Sequence, residues 1–156
     1  MTANSKIDSH FSKFYDEKQL VDRYRISFET LLLMSFLIII NGVIKISHGP
    51  FAAPEVEMGF LFSLPFTYFM VRSIIKEAYF TKTNKSKTFA IATFVLLGIV
   101  LLFSPVMYLV KGGPIIENGV IVWAMANVFF ALPFISTPIA YLIQKMTQKN
   151  VEEDEE

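Results

Sequence analysis

Four long apolar stretches divide the chain, and charged residues lie almost wholly between them. The first is Thr30 to Ile44 (TLLLMSFLIIINGVI), uncharged from end to end between Glu29 and Lys45. An amphipathic surface helix keeps its apolar residues to one stripe, whereas this run is apolar all round. Extended to Ile26–Ile46, it covers the roughly 30 Å hydrocarbon core of a bilayer at about 1.5 Å per residue. The same reasoning predicts spans over 57–76, 88–110 and 120–143. The second is the shortest in uncharged residues, Met58 to Val71, and carries Arg72 inside its end, where a long side chain can snorkel to the interface. The third has no charge, and the fourth lies within the uncharged stretch between Glu117 and Lys145.

The predicted fold is therefore all-α, with a four-helix transmembrane domain over 26–146 between a polar segment 1–25 and an acidic tail 147–156. Two Gly/Pro-rich turns, SHGPFAAPEVE and KGGPIIENG, join the outer pairs of helices, and the polar YFTKTNKSKT joins the middle pair. Within 1–25 and just beyond, Phe11, Phe14, Val21, Tyr24 and Phe28 fall near one helical face. Either an interfacial helix precedes the first span, anchored by those rings, or the segment is a partly ordered polar tail. The last five residues are all acidic, and such a block is expected to stay disordered and solvated.

Charge settles the expected orientation. Twelve of the fourteen Lys and Arg lie in or beside the N-terminal segment, the middle connection and the C-terminal tail, Arg72, Lys76 and Lys145 at the adjoining ends of the spans; on the side of the two turns there are only Lys45 and Lys111. Short loops rich in Lys and Arg stay cytoplasmic, which puts both termini inside. No cleavable signal peptide is evident, since the first apolar run is long enough to span and lacks a small-residue cleavage pattern. Composition agrees with a lipid-facing chain: 53% of the 156 residues are hydrophobic, 16 are Phe, and the mean hydropathy is +0.48. Soluble proteins usually stay at about 45–50% apolar.

Little in the sequence can do chemistry. There is no Cys, which excludes disulfides, thiolate metal sites and cysteine redox chemistry, and the two His lie in different polar segments. No nucleophile-elbow, zinc-protease, phosphate-loop or dinucleotide-binding pattern occurs. No acid, His or Lys lies near the midplane of a predicted span, which speaks against a proton relay. The expectation is no enzyme, no cofactor, no metal and no nucleic-acid partner; the basic middle connection is too short for nucleic acid and could instead touch anionic lipid head groups. Pro65, Pro105, Pro133 and Pro138 each have a nearby Ser or Thr, which can satisfy a carbonyl freed by proline. Two features suggest helix contacts. Glu29 and Arg72 lie at similar depth inside the cytoplasmic edge of adjacent helices and are candidates for a charge pair. Asn41 and Asn127 are candidate packing amides, with Ala124, Asn127 and Ala131 on one face.

DEKQLVDRYRISFETL (Asp16–Leu31), INGVIK (Ile40–Lys45) and YFMVRSIIKEAYF (Tyr68–Phe80) resemble a family of small bacterial membrane proteins of unknown function. Its members open with an Asp-Glu-Arg-Gln type motif, end the first helix in an Ile-Asn-Gly segment and leave the membrane through an Arg-Ser-Ile-like stretch. Here Lys18 stands where the motif usually has Arg. The resemblance covers roughly the first half of the chain and implies a bacterial plasma-membrane location and four helices; it supplies no activity and no catalytic residues to carry over. The function expected is a non-enzymatic accessory, immunity or regulatory role exercised in the lipid bilayer through another membrane protein or through itself. The alternative is a subunit of a small oligomeric transporter or channel.

Overall fold

The computed structural model describes residues 15–80 and 87–154, with side chains described as far as 148. Four α-helices dominate: α1 (Glu17–His48), α2 (Pro54–Ile75), α3 (Lys87–Val110) and α4 (Ala126–Asp154). All four are long and apolar enough to cross a membrane. Two short strands, β1 (Ile116–Glu117) and β2 (Val120–Ile121), and a 3-10 turn at Trp123–Met125 precede α4. One end of the molecule carries the two turns, and the other carries the start of α1 and the end of α4. These are called the turn end and the termini end below.

Helix α1 starts earlier than the predicted span. It runs without a break from Glu17, so no separate interfacial helix forms over the described part of segment 1–25. Gln19 Oε1 accepts the backbone N–H of the cap residue Asp16 at 3.1 Å, and neither Gly nor Pro interrupts the chain before Gly42. Thirty-two residues make a helix about 48 Å long, more than a bilayer core needs. Val21, Tyr24 and Phe28 are exposed along it, while Phe11 and Phe14 lie outside the described residues. Gly49, at φ 80°, ends α1, and Pro54 opens α2 at a position that needs no N–H donor.

The fourth span differs more. Residues 120–121, predicted as helix, are the second strand of a hairpin, with Ile116 opposite Ile121 and Glu117 opposite Val120. Asn118 (φ 52°) and Gly119 (φ 78°) form its two-residue turn with both φ values positive. Asn-Gly is the pair that adopts this conformation at least cost, and flanking β-branched residues complete a hairpin signal that outweighs bulk hydropathy here. At its other end α4 continues to Asp154, so the segment 147–154, expected to be disordered, is helical.

Helix α4 lies between α2 and α3, while α1 has its one extensive partner in α2. The order α1–α2–α4–α3 is a row rather than a closed bundle. Small residues set the close approaches. A Cβ at Gly59 of α2 would lie 3.3 Å from the Ala126 carbonyl and from Phe129 Cβ of α4, and one at Gly98 of α3 would lie 3.0 Å from Ile135. Ala131, Thr137 and Ala140 are buried on α4. Without a hydrophobic drive between helices in lipid, such tight van der Waals contact is what holds them. The hydroxyls near the prolines play a different part from the one expected. Ser136 and Thr137 donate to the carbonyls of Leu132 (2.7 Å) and Pro133 (2.6 Å), not to those of Phe129 and Phe134 that Pro133 and Pro138 release.

The turn end has a small core of its own. Ala52, Val56, Val122, Ala124, Met125 and Ala126 are buried together, with Phe51, Tyr108 and Phe129 packed around them. The first turn docks on β2, Ala53 N donating to Ile121 O at 2.9 Å and Ile121 N to Phe51 O at 3.1 Å. Both turns are thus one packed cap rather than separate loops.

Candidate functional site

Helix α1 is tied to α2 by a charge cluster at each end. At the turn end Lys45 pairs with Glu57. Glu57 lies in the first turn of α2, where the helix dipole favours a carboxylate, and is only 4% exposed. The Lys45 side chain is 45% exposed and reaches the carboxylate from the rim. The second carboxylate oxygen, Glu57 Oε1, and the amide oxygen of Asn41 are buried without a hydrogen-bond partner among the described residues. Asn41 is one helical turn from Lys45 on the same face, so both acceptors belong to this seam.

Toward the termini end the charges are reversed, with the acid on α1 and the base on α2. Glu29 accepts the Tyr68 hydroxyl at 2.6 Å and the Arg25 Nε at 3.0 Å, and Arg72 Nη2 stands 3.7 Å from the same carboxylate. The cross-helix pair expected between Glu29 and Arg72 is formed, and Glu29 also pairs locally with Arg25 one turn back on α1. The shorter cross-helix bond comes from Tyr68, which no sequence argument singled out. With opposite charge order at its two ends, the α1–α2 seam is ionically matched only in antiparallel orientation at this register. A slip or reversal of α1 would leave carboxylate facing carboxylate or strand a buried one.

A third polar group lies at the termini end, centred on Glu77. Helix α2 closes there with Ala78 N donating to Ser73 O (2.8 Å) and Glu77 N to Ile74 O (2.9 Å). This is the Schellman closure, which puts the residue after the cap in the left-handed region and so favours glycine. Helix α3 ends in the same pattern with Gly112, at φ 81°, in that place. Helix α2 uses Glu77, at φ 57°, at a cost of about 1–2 kcal/mol. Its side chain offsets the strain: Glu77 Oε1 accepts from the amides of Gln144 (3.3 Å) and Gln148, one turn apart on α4. Its carbonyl accepts Gln19 Nε2 of α1 at 2.7 Å, so one residue joins α1, α2 and α4. Around it lies a cavity of about 330 Å³ lined by Gln19, Tyr79, Lys87, Tyr141, Gln144 and Lys145, among others. Burial raises the Tyr79 phenol above its usual range while the Arg23 charge opposes, so Tyr79 keeps its proton and can donate.

The predicted packing amides part company. Asn41 sits in the Lys45–Glu57 seam, whereas Asn127 is half-buried on α4, near the buried Ala124 and Ala131. The sequence missed Lys45–Glu57, although opposite charges flanking one short turn were there to be seen. It missed Glu77 because nothing in the type of that residue announces a left-handed backbone. No group of acids and His that could hold a metal occurs among the described residues. Compared with known protein families, curated proteins and solved structures, the chain matches none.

Proposed function

We propose that this chain is a multi-pass protein of the bacterial plasma membrane, both termini inside, that is not an enzyme. It acts in an accessory, immunity or regulatory role through contacts with another membrane protein or with a second copy of itself. The observation that carries this is the position of α1. It stands at the edge of the row, its polar groups are turned into two clusters against α2, and no residue of its most apolar stretch is buried. Leu32, Phe36, Ile39 and Val43 are all more than half exposed, leaving an apolar flank for a neighbouring helix. The charge asymmetry supports the orientation, and the resemblance of the first half of the chain supports the location.

A photoreactive residue at Phe36 or Ile39, activated in native membranes, tests the role. The expected product is one discrete protein adduct, either to a single partner or to a second copy. Adducts to lipid alone from both positions, and from Phe103 on the outer flank of α3, refute it. The rival, a subunit of a small transporter or channel, requires a stable homo-oligomer that gives substrate flux in liposomes.

A further inference from the structure

We infer that the cavity at the termini end binds the phosphate group of an anionic phospholipid. The site rests on the membrane reading of the four helices, which sets its depth. Ile74 lies in the last turn of α2, just past Arg72, Lys87 opens α3, and Gln144 follows the apolar part of α4, so the cavity lies where the head groups begin. Its volume, about 330 Å³, falls within the about 300–1,000 Å³ of small-molecule sites.

The lining has the chemistry a phosphodiester needs. Lys87 and Lys145 supply two positive charges, and neither makes an ion pair among the described residues. Lys87 Nζ stands 5.8 Å from the centre of the Phe80 ring, a weak partner that a phosphate would replace or share. The one carboxylate in the lining, Glu77, already receives two side-chain amides on one oxygen. Two ammonium groups and one carboxylate leave a single net positive charge, which one phosphodiester neutralises. Tyr79 and Tyr141 add phenols at the wall, and Phe80 packs edge-on against both rings, at 4.9 and 6.0 Å between centroids. Aromatic rings with polar tips are the side chains that settle at the membrane–water interface.

The strained Glu77 turn fits this role. A glycine there would close α2 more cheaply, as Gly112 closes α3, but would release Gln144 and Gln148 and unpin the wall of the cavity. The strain is retained where it shapes a concave site.

The test uses the purified full chain in detergent and reads retained lipid by native mass spectrometry, with phosphatidylglycerol against phosphatidylcholine at equal concentration. Both lipids carry the phosphodiester, but phosphatidylcholine would bring its quaternary ammonium against Lys87 and Lys145, so phosphatidylglycerol should be retained at least about tenfold better, the ratio that one unfavourable charge contact of about 1.4 kcal/mol gives. The variant Lys87→Gln/Lys145→Gln should lose that preference, and Lys111→Gln, at the turn end, should keep it. Both lysines are exposed, so the variants fold, and unchanged thermal unfolding confirms it. Equal retention of the two lipids, or an undiminished preference in the double variant, overturns the site. Competition by inorganic phosphate at concentrations equal to the lipid also overturns it, because the ligand is then soluble. Extraction of the chain from membranes by alkaline carbonate would instead defeat the membrane reading itself. A lipid-blind but carbonate-resistant protein defeats only the site.

Discussion

The two ends of the Lys45–Glu57 pair are buried so differently that removing one should cost far more than removing the other. Lys45→Ala leaves the Glu57 carboxylate, 4% exposed, with no cation and with one oxygen already unpartnered. Breaking a buried pair in this way costs about 3–5 kcal/mol. Glu57→Gln instead keeps the shape and leaves a lysine whose side chain is 45% exposed and long enough to turn to water. Its cost is that of one hydrogen bond and a weakened dipole contact, about 1–2 kcal/mol in all. Replacing both by Met removes the buried carboxylate together with its cation and should fall within about 1 kcal/mol of the native protein, or above it. Equilibrium unfolding in mixed micelles, followed by far-UV circular dichroism, gives all three values on one scale. The order expected is native and double variant close together, Glu57→Gln below them, and Lys45→Ala lowest. If Glu57→Gln proved as costly as Lys45→Ala, the burial asymmetry would not govern the pair. If the double Met variant fell as low as Lys45→Ala, removing both charges together would bring no relief, and an unpaired Glu57 carboxylate would not explain the loss.

Three further outcomes follow from the geometry. Gly59→Val should loosen the α2–α4 contact and lower the unfolding temperature, since its Cβ meets the Ala126 carbonyl, whereas Gly42→Ala, with nothing within 4 Å, should be neutral or add up to about 1 kcal/mol of helix propensity. At the other α1 cluster, Glu29→Arg and Arg72→Glu should each destabilise and the double exchange should recover only part of the loss, because Tyr68 loses its carboxylate acceptor; full recovery, or none, would show that Tyr68 or Arg72 respectively plays no part. A single cysteine at Asn118 should react with an impermeant reagent on intact cells and one at Asn84 should not, and the reverse pattern would invert the proposed orientation.

What the sequence by itself determined is the number and placement of the apolar helices, because that property is local and additive. Thr88 to Val110 has no charged residue for its whole length, and no tertiary context could bury or expose it enough to change the assignment. The charge count likewise yields an expected orientation with no knowledge of packing. The Asn118–Gly119 turn was legible too, since Asn-Gly with Ile and Val in the adjoining strands favours a hairpin, but bulk hydropathy hid it. Tertiary structure decided the rest. That α4 rather than α3 lies against α2 depends on Gly59 meeting Ala126 and Phe129, a match of surfaces far apart in the chain. The depth of Glu57 and the bond from Tyr68 to Glu29 depend on the register of two helices whose joining turn is itself placed by packing on β2. The cavity at Glu77 needs residues from α1, α2, α3 and α4 at one place, with a backbone angle that the type of the residue would not suggest. Apolarity is summed along a chain, whereas a site is made where distant parts of the chain meet, and only the packed helices bring them together.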